Sequence, residues 1–394
     1  MTASLKTAAT FPWPGPPAQA AARRPPPGTR VAVGMSGGVD SSVAAAWLVR
    51  QGYDVVGVML RLWSEPGREA ENRCCTLEAE DLARHVARIL GIPFHVVDVR
   101  ARFRATVVED FFRGYLQGQT PNPCLTCNRL IRWGAMLEYA QEQLGAAYLA
   151  TGHYARLRAW PAGVVGLRRG VDAAKDQSYV LAVLTQAQLQ RTLLPVGEWT
   201  KAQVRDLARE WGLPVAARPD SQDLCFLAGD DYRAFLRRHK PEAARPGPIF
   251  SVEGRRLGQH QGLAFYTIGQ RRGLGLSGGP WYVVAKDPAR NALIVGPRTA
   301  LGRREFWAGP VNWVWRPLAG PFRGQVKIRY RARLAAATLF PHDEGRTLRI
   351  VLDAPLRDIT PGQAAVVYVD DWVIAAAPIV RVATPHPAPA PRRE

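Results

Sequence analysis

From residue 30 to residue 157, short apolar runs alternate with longer stretches whose apolar positions return at helical spacing. VAVGM at 31–35 reads as a strand, and 41–51 as a helix stopped by Gly52. DVVGVMLRL at 54–62 is a strand apolar on both faces, the mark of burial inside a sheet. A helix over 76–90 is closed by Gly91 with Pro93 beyond it; 94–99 is a strand and 105–116 a helix. The polar stretch 117–128 reads as a loop, 130–144 as a helix stopped by Gly145, and 147–157 begins as a strand. Strict alternation of this kind predicts an α/β domain with a parallel sheet and right-handed crossovers. Ligands in such sheets sit at the carboxyl ends of the strands. The ends of the first, second and ATGHY strands should therefore converge.

Beyond residue 158 the pattern loosens into a strand, a polar turn and a short apolar segment. A helix follows over 200–211, with a Thr200–Gln203 capping box and Gly212 as its stop. DDYRAFLRRH opens a smaller module with one helix, and WYVVAKDPARNALIVG reads as a hairpin. From about 305 to 382 apolar and polar residues alternate at period two, predicting a small antiparallel barrel. The expected organisation is a disordered Pro/Ala-rich leader (1–29), a nucleotide domain (30–228), a small central α+β domain (229–303), a C-terminal β-barrel (304–383) and a disordered Pro-rich tail (384–394).

The first turn carries the densest chemistry. VAVGMSGGVDSS leads from a strand through glycines and serines straight into a helix. Backbone N–H groups and the positive helix end then aim at one point, an anion site suited to a phosphate chain. Gly37 and Gly38 allow close approach, Ser36, Ser41 and Ser42 offer hydroxyls, and Asp40 could hold Mg2+ on the phosphates. No Gly-Lys-Ser/Thr follows, so this is not a Walker loop, nor is it a dinucleotide fingerprint. SGGVDSS looks like the loop of enzymes that split ATP between its α- and β-phosphates and adenylate a substrate.

Charge narrows the partner. The 394 residues carry a formal charge of +19, which favours a polyanion. In 325–334, QVKIRYRARL, the two-residue period puts Lys327, Arg329, Arg331 and Arg333 on one strand face. Four like charges on one face repel unless an anion lies against them, so RNA phosphates are the expected contact. No window reaches a membrane span and no secretory signal is present. Five cysteines, an odd number, argue for thiol chemistry in a reducing, cytoplasmic setting.

Cys124 and Cys127 lie in TPNPCLTCN, where two prolines and an asparagine should rigidify the loop; Cys225 lies in SQDLCF. Zinc wants four ligands, and no second CxxC or close histidine pair exists. Thiol or persulfide chemistry remains, or an iron–sulfur cluster on three thiolates with one open iron. Cys74 and Cys75 at a helix start would have lowered pKa values but receive no role. His153, after Gly152 at a strand end, and the polar turn KDQSY at 175–179 are further candidates.

GMSGGVDSS, RCC, LGIPF, TPNPxxxCN, ATGHYAR, KDQSY, SQDLCF, YTIGQRRGLG and PWYV occur in this order. Together they resemble the bacterial tRNA-specific 2-thiouridylase family (MnmA/TrmU), over about 30–379. The resemblance implies an N-terminal domain of the adenine-nucleotide alpha-hydrolase-like, PP-loop kind. It implies ATP at Gly34, Met35, Ser36, Gly37, Gly38, Val39, Asp40 and Ser41, with Met59 and Gly152 lining the adenosine site. It implies adenylation of O2 of a wobble uridine, a persulfide on Cys225, and Cys127 as the partner thiol, with a transient Cys127–Cys225 disulfide. The target base is expected at Asn122, Pro123 and Cys124. Contacts to tRNA are expected at His153, Lys175, Asp176, Gln177, Arg329, Tyr330 and Gln363. A persulfide-carrying donor protein is implied, and the enzyme is expected to act as a monomer. Well-known family members carry Asp where this chain has Cys124. The three-cysteine set keeps a [4Fe–4S] cluster on Cys124, Cys127 and Cys225 open. Other readings are a different ATP-splitting enzyme, which would not need Cys127 and Cys225, or a non-catalytic RNA-binding protein, which would release no pyrophosphate.

Overall fold

The computed structural model describes residues 24–67, 76–160, 163–219, 224–227 and 229–383. The leader up to residue 23, the tail from 384, Cys74, Cys75 and the Ser221, Gln222 and Asp223 of SQDLCF lie outside the described residues.

The first seven strands are β1 Arg30–Gly34, β2 Asp54–Arg61, β3 Phe94–Asp98, β4 Tyr148–Thr151, β5 Ala155–Ala159, β6 Val165–Arg169 and β7 Thr192–Leu193. Five of them form a parallel sheet in the order β3-β2-β1-β4-β7. The order reverses beside β1, so a crevice opens at the carboxyl ends of β1 and β4. Val31, Ala32 and Val33 are wholly buried, as a strand covered by helices on both faces requires. Helix α1 (Val39–Arg50) follows β1 and ends at Gly52, whose φ is +79°. Helix α2 (Leu77–Ile89) is capped by Thr76, whose hydroxyl accepts from the Ala79 N–H.

The middle of the chain has the helix Tyr232–His239, capped by Asp231, and a four-stranded sheet. Its strands are β8 Gly247–Ser251, β9 Arg256–His260, β10 Tyr282–Asp287 and β11 Ala292–Gly296, with β10 and β11 paired as the expected hairpin. After them come β12 Arg303–Ala308, β13 Asn312–Trp313, β14 Phe322–Lys327, β15 Ala335–His342, β16 Thr347–Leu356, β17 Ala364–Val369 and β18 Trp372–Val382. The path β12-β16-β15-β14-β17-β18 returns to β12 through a β12–β18 pairing, closing a six-stranded antiparallel barrel. Closure removes the free edges.

Four expectations change. The cysteine segment is a helix from Pro123, not a loop: the Asn122 side chain accepts from Cys124 N–H at 3.2 Å and Pro123 sits in the first turn. An N-cap followed by Pro at N1 is a helix start, so Asn122 and Pro123 begin a helix where loop rigidity was expected of them. The helix runs on through wide π-type turns over Asn128–Met136 to Glu142. Second, the basic strand ends at Lys327. The chain then turns, with Ala332 N–H bonded to Arg329 O at 3.0 Å, so Lys327, Arg329, Arg331 and Arg333 do not share one strand face. Third, residues 24–29, expected in the leader, are held: Tyr53 OH donates to Pro25 O at 2.9 Å and Gly28 N–H to Gly52 O at 2.8 Å. Fourth, the β5–β6 hairpin joins the barrel sheet, Trp372 and Val373 pairing with Arg168 and Leu167.

Two cores bind the parts together. One runs from Phe103, Phe111 and Phe112 through Phe226 and Phe235 to Val283 and Val295. The other joins Leu149 and Leu157 to Val366, Tyr368 and Val373 of the barrel. Cys127 belongs to the first of these cores and Cys225 packs against it.

Candidate active site

The phosphate loop is built by its own backbone. Gly37 adopts φ +70°, and a Cβ there would lie 2.4 Å from Ala79 O, so only glycine fits. Ser36 N–H reaches Ser41 Oγ at 3.2 Å, and Ser41 and Ser42 hydroxyls donate to Gly38 O at 3.1 and 2.9 Å. Ser42 is fully buried and serves the helix turn, not a ligand. Gly38 is the N-cap of α1 and no side chain caps that end, which leaves its N–H groups to an anion. Arg218 Nη1 donates to Gly37 O at 2.9 Å. Gly152 lies against the loop: a Cβ there would sit 2.5 Å from Asp40 C and 2.6 Å from Ser41 N. Its lack of a side chain lets β4 close on the start of α1. Met35 and Met59 are buried beside it in one apolar cluster with Gly34's neighbour Val33 and with Val39.

Asp40 has company that no sequence signal announced. Lys201 Nζ donates to Oδ1 and Oδ2 at 2.7 and 2.8 Å, and Tyr154 OH to Oδ1 at 2.6 Å. The capping box at Thr200 was legible; that it delivers Lys201 to the phosphate loop was not.

The thiols differ in burial. Cys124 is exposed, Cys127 is buried and Cys225 is half-buried. Cys127 belongs to the cluster of Phe103, Phe111 and Phe226, and Cys225 packs on that same cluster. Among the described residues no three His, Cys, Asp or Glu side chains gather as a metal-ligand set. The structure thus brings Cys127 and Cys225 to one cluster but does not arrange Cys124, Cys127 and Cys225 as ligands for a [4Fe–4S] group. Asp40 does fit Mg2+, which is commonly held by one carboxylate plus substrate phosphates.

The barrel closes the mouth. Gln363 Nε2 donates to Thr120 O at 2.8 Å, and Thr120 N–H to Pro361 O at 2.9 Å. Arg329 Nη2 donates to Thr360 Oγ1, while Arg329 Nε and Thr120 Oγ1 are buried without a partner among the described residues. Tyr330 lies 6.2 Å from Tyr179, ring to ring. Burial pushes its hydroxyl pKa up, with Asp176 and then Cys124 adding to the rise. Asn122, Pro123, Cys124, Arg329, Tyr330 and Gln363 are therefore one neighbourhood.

Other expected contacts turn inward. Asp176 is buried and accepts from Gly170 N–H and Ser178 N–H, both at 3.1 Å. Gln177 Oε1 accepts from Tyr154 N–H at 2.9 Å, and Lys175 is half-buried. His153 is buried between Arg132, 3.0 Å from Nε2, and Thr151, 2.8 Å from Nδ1. Arginine can only donate, so Nε2 accepts and Nδ1 carries the proton. Burial, then the Arg132 charge, holds the imidazole pKa well below its usual value.

A parallel sheet with an anion loop at its switch point, joined to a closed antiparallel barrel, defines an α/β protein with an attached β-barrel. Family profiles described as tRNA methyl transferase HUP domain, tRNA methyl transferase PRC-barrel domain and aminomethyltransferase beta-barrel domain match residues 29–229, 233–297 and 303–379. The tRNA-specific 2-thiouridylase MnmA of Moorella thermoacetica is 51% identical over 358 residues, covering 89% of this chain and 99% of that protein. Its namesake from Chloroflexus aggregans is 50% identical over 341 residues, covering 86% and 94%. A 4-thiouridine synthetase solved with RNA and ATP is 16% identical with a TM-score of 0.34, covering 55% of this chain and 51% of that one, a likeness too low to argue from. The chain belongs to the tRNA-specific 2-thiouridylase family.

Proposed function

We propose that this chain is an ATP-dependent tRNA-uridine 2-sulfurtransferase acting on the wobble uridine. A uridine carbonyl is a poor electrophile until its oxygen becomes a leaving group. ATP bound at Gly34–Ser41 supplies that: O2 attacks the α-phosphate, pyrophosphate departs, and the base is left adenylated. The terminal sulfur of a Cys225 persulfide attacks C2. Cys127 thiolate attacks the Cys225 sulfur, the S–S bond to the transferred sulfur breaks, and AMP leaves as 2-thiouridine forms. A Cys127–Cys225 disulfide remains, and a thiol reductant returns both to thiols. Mg2+ held by Asp40 would neutralise phosphate charge. The sulfur comes from a persulfide-carrying donor protein, and the enzyme works as a monomer in the reducing cytoplasm.

The 51% identity over 358 residues to a named 2-thiouridylase carries this reading. The site supports it. Cys127 in an apolar cluster is protected from solvent oxidants yet shares that cluster with Cys225. Asn122, Pro123 and Cys124, the expected contacts of the base, lie next to the segment held by Gln363 of the barrel. Methyl transfer, the chemistry in the family profile's description, would need neither an ATP-splitting loop nor two thiols. The test is mass analysis of nucleosides from tRNA incubated with the protein, ATP, Mg2+ and a persulfide donor. A sulfur-for-oxygen mass shift on uridine is expected; its absence, or a methyl shift, refutes the proposal.

A further inference from the structure

We infer that Lys201 is a phosphate-binding residue of the ATP site, parked on Asp40 until the nucleotide arrives. The inference rests on the ATP reading above and adds a residue to it.

Three observations carry it. The first is position. Asp40 is in the first turn of α1, directly after the glycine turn, and Lys201 Nζ lies within 2.7 and 2.8 Å of its two carboxylate oxygens. The ammonium is thus one side chain away from where the uncapped helix end would hold phosphates. The second is the helix that carries it. Lys201 is the first residue of Lys201–Glu210, and no acidic residue occupies that first turn. A cation at a helix N-terminus opposes the helix dipole, so this placement does not serve the helix. It serves what the side chain reaches. The third is preorganisation. The Lys201 N–H donates to Asp172 Oδ2 at 2.9 Å, Thr200 and Gln203 form a reciprocal cap, and the stem passes over the Tyr154 ring with Nζ 5.9 Å from its centroid. Its side chain is 12% exposed, against 31% for Asp40, so the pair opens on the Asp40 side, toward the loop.

The chemistry follows from charge. A carboxylate alone at a phosphate site would repel the polyphosphate. Lys201 neutralises it in the free enzyme. A triphosphate carries more negative charge than one carboxylate, so the ammonium moves from Asp40 to the phosphate oxygens, and Asp40 is released. Lysine suits this exchange, being a point charge on a flexible stem with three donors that can change partners. Tyr154 OH, 2.6 Å from Asp40, keeps the carboxylate oriented through the exchange.

The test compares ATP with adenosine, which shares the base and ribose but has no phosphate. Binding of each is measured by calorimetry on the wild type, Lys201→Met and Lys201→Arg, together with pyrophosphate release in the presence of tRNA. Loss of a charge-assisted contact predicts that Lys201→Met binds ATP about 10- to 100-fold more weakly. Adenosine affinity stays unchanged, pyrophosphate release slows, and Lys201→Arg recovers part of both. Unchanged ATP affinity in Lys201→Met, or equal losses for ATP and adenosine, would overturn the inference and leave a structural ion pair. Failure of the wild type itself to bind ATP would instead overturn the adenylation reading, and this inference with it.

Discussion

The phosphate loop and the thiol region are built by opposite strategies. The loop is local: residues 34–42 hold one another through Ser36, Gly38, Ser41 and Ser42, and Gly152, Tyr154, Arg218 and Lys201 reach in from elsewhere. The thiol region is assembled. Cys124 and Cys127 come from the helix at Pro123, Cys225 from a turn far along the chain, and the cover from barrel residues Arg329 and Gln363. Activating a substrate needs one fixed anion site. Moving a sulfur needs two thiols and a base brought together, which no single segment supplies. The two halves should therefore fail separately.

The largest expected effect tests that separation. Cys225→Ser should lower 2-thiouridine formation by roughly 10³-fold or more, as loss of a nucleophile does. Pyrophosphate release with tRNA and ATP should continue. Loss of both activities together would show that the halves are not separable. Cys127→Ser should behave likewise, with sulfur still loaded on Cys225 and detectable by mass.

The reciprocal change is Gly37→Ala. A residue with a side chain at φ +70° costs about 1–2 kcal/mol, and the methyl carbon would also meet Ala79 O at 2.4 Å. ATP affinity should fall at least about tenfold, while persulfide loading on Cys225 persists. Retained ATP affinity would mean that the loop is less self-determined than its geometry implies.

The same contrast governs what could be read from the residues alone. The alternating apolar pattern gave the parallel sheet and the barrel, because burial on two faces and on one face leave different periods in the sequence. The anion loop was legible because its chemistry is contiguous. Lys201 was not: its sequence neighbourhood is an ordinary capping box, and only the packing of Lys201–Glu210 against α1 turns it toward Asp40. The helix at Pro123 differs from the expected loop although Asn122 and Pro123 are a start signal. The basic run at 325–334 looked like one strand because period two cannot report a turn after Lys327. The β5–β6 hairpin's place in the barrel sheet is a long-range pairing, invisible to local pattern.

His153 lies on the seam between the two regions, with Thr151 at the end of β4 on one side and Arg132 of the cysteine-bearing helix on the other. Its folded pKa is depressed by burial, so below about pH 6.5 the unfolded chain binds a proton that the folded chain does not. The stability it contributes is present above pH 6.5 and is lost as pH falls, with a slope of up to about 1.4 kcal/mol per unit. Urea unfolding between neutral pH and pH 5 should show this slope in the wild type and a shallower one in His153→Gln. Equal slopes would place the acid sensitivity elsewhere, His260 being the other histidine whose pKa burial lowers.

The smallest effect bears on whether the barrel is part of the thiol region or only its neighbour. Gln363→Ala removes a neutral hydrogen bond to Thr120 O at 2.8 Å, with its longer 3.5 Å branch to Pro121 O, and leaves the Thr120–Pro361 backbone bond in place. One such bond contributes about 1 kcal/mol, or roughly fivefold in a rate or affinity. Because Thr120 lies two residues before Asn122, the loss should appear as lower kcat/KM for tRNA thiolation. ATP affinity should not move, since no barrel residue touches the Gly37–Asp40 turn in any bond described above. A matching drop in ATP affinity would mean that the barrel loop supports the whole crevice. No change in thiolation would mean that the 360–363 loop only rests on the 119–122 segment, and that Arg329 alone carries the barrel's share of the site.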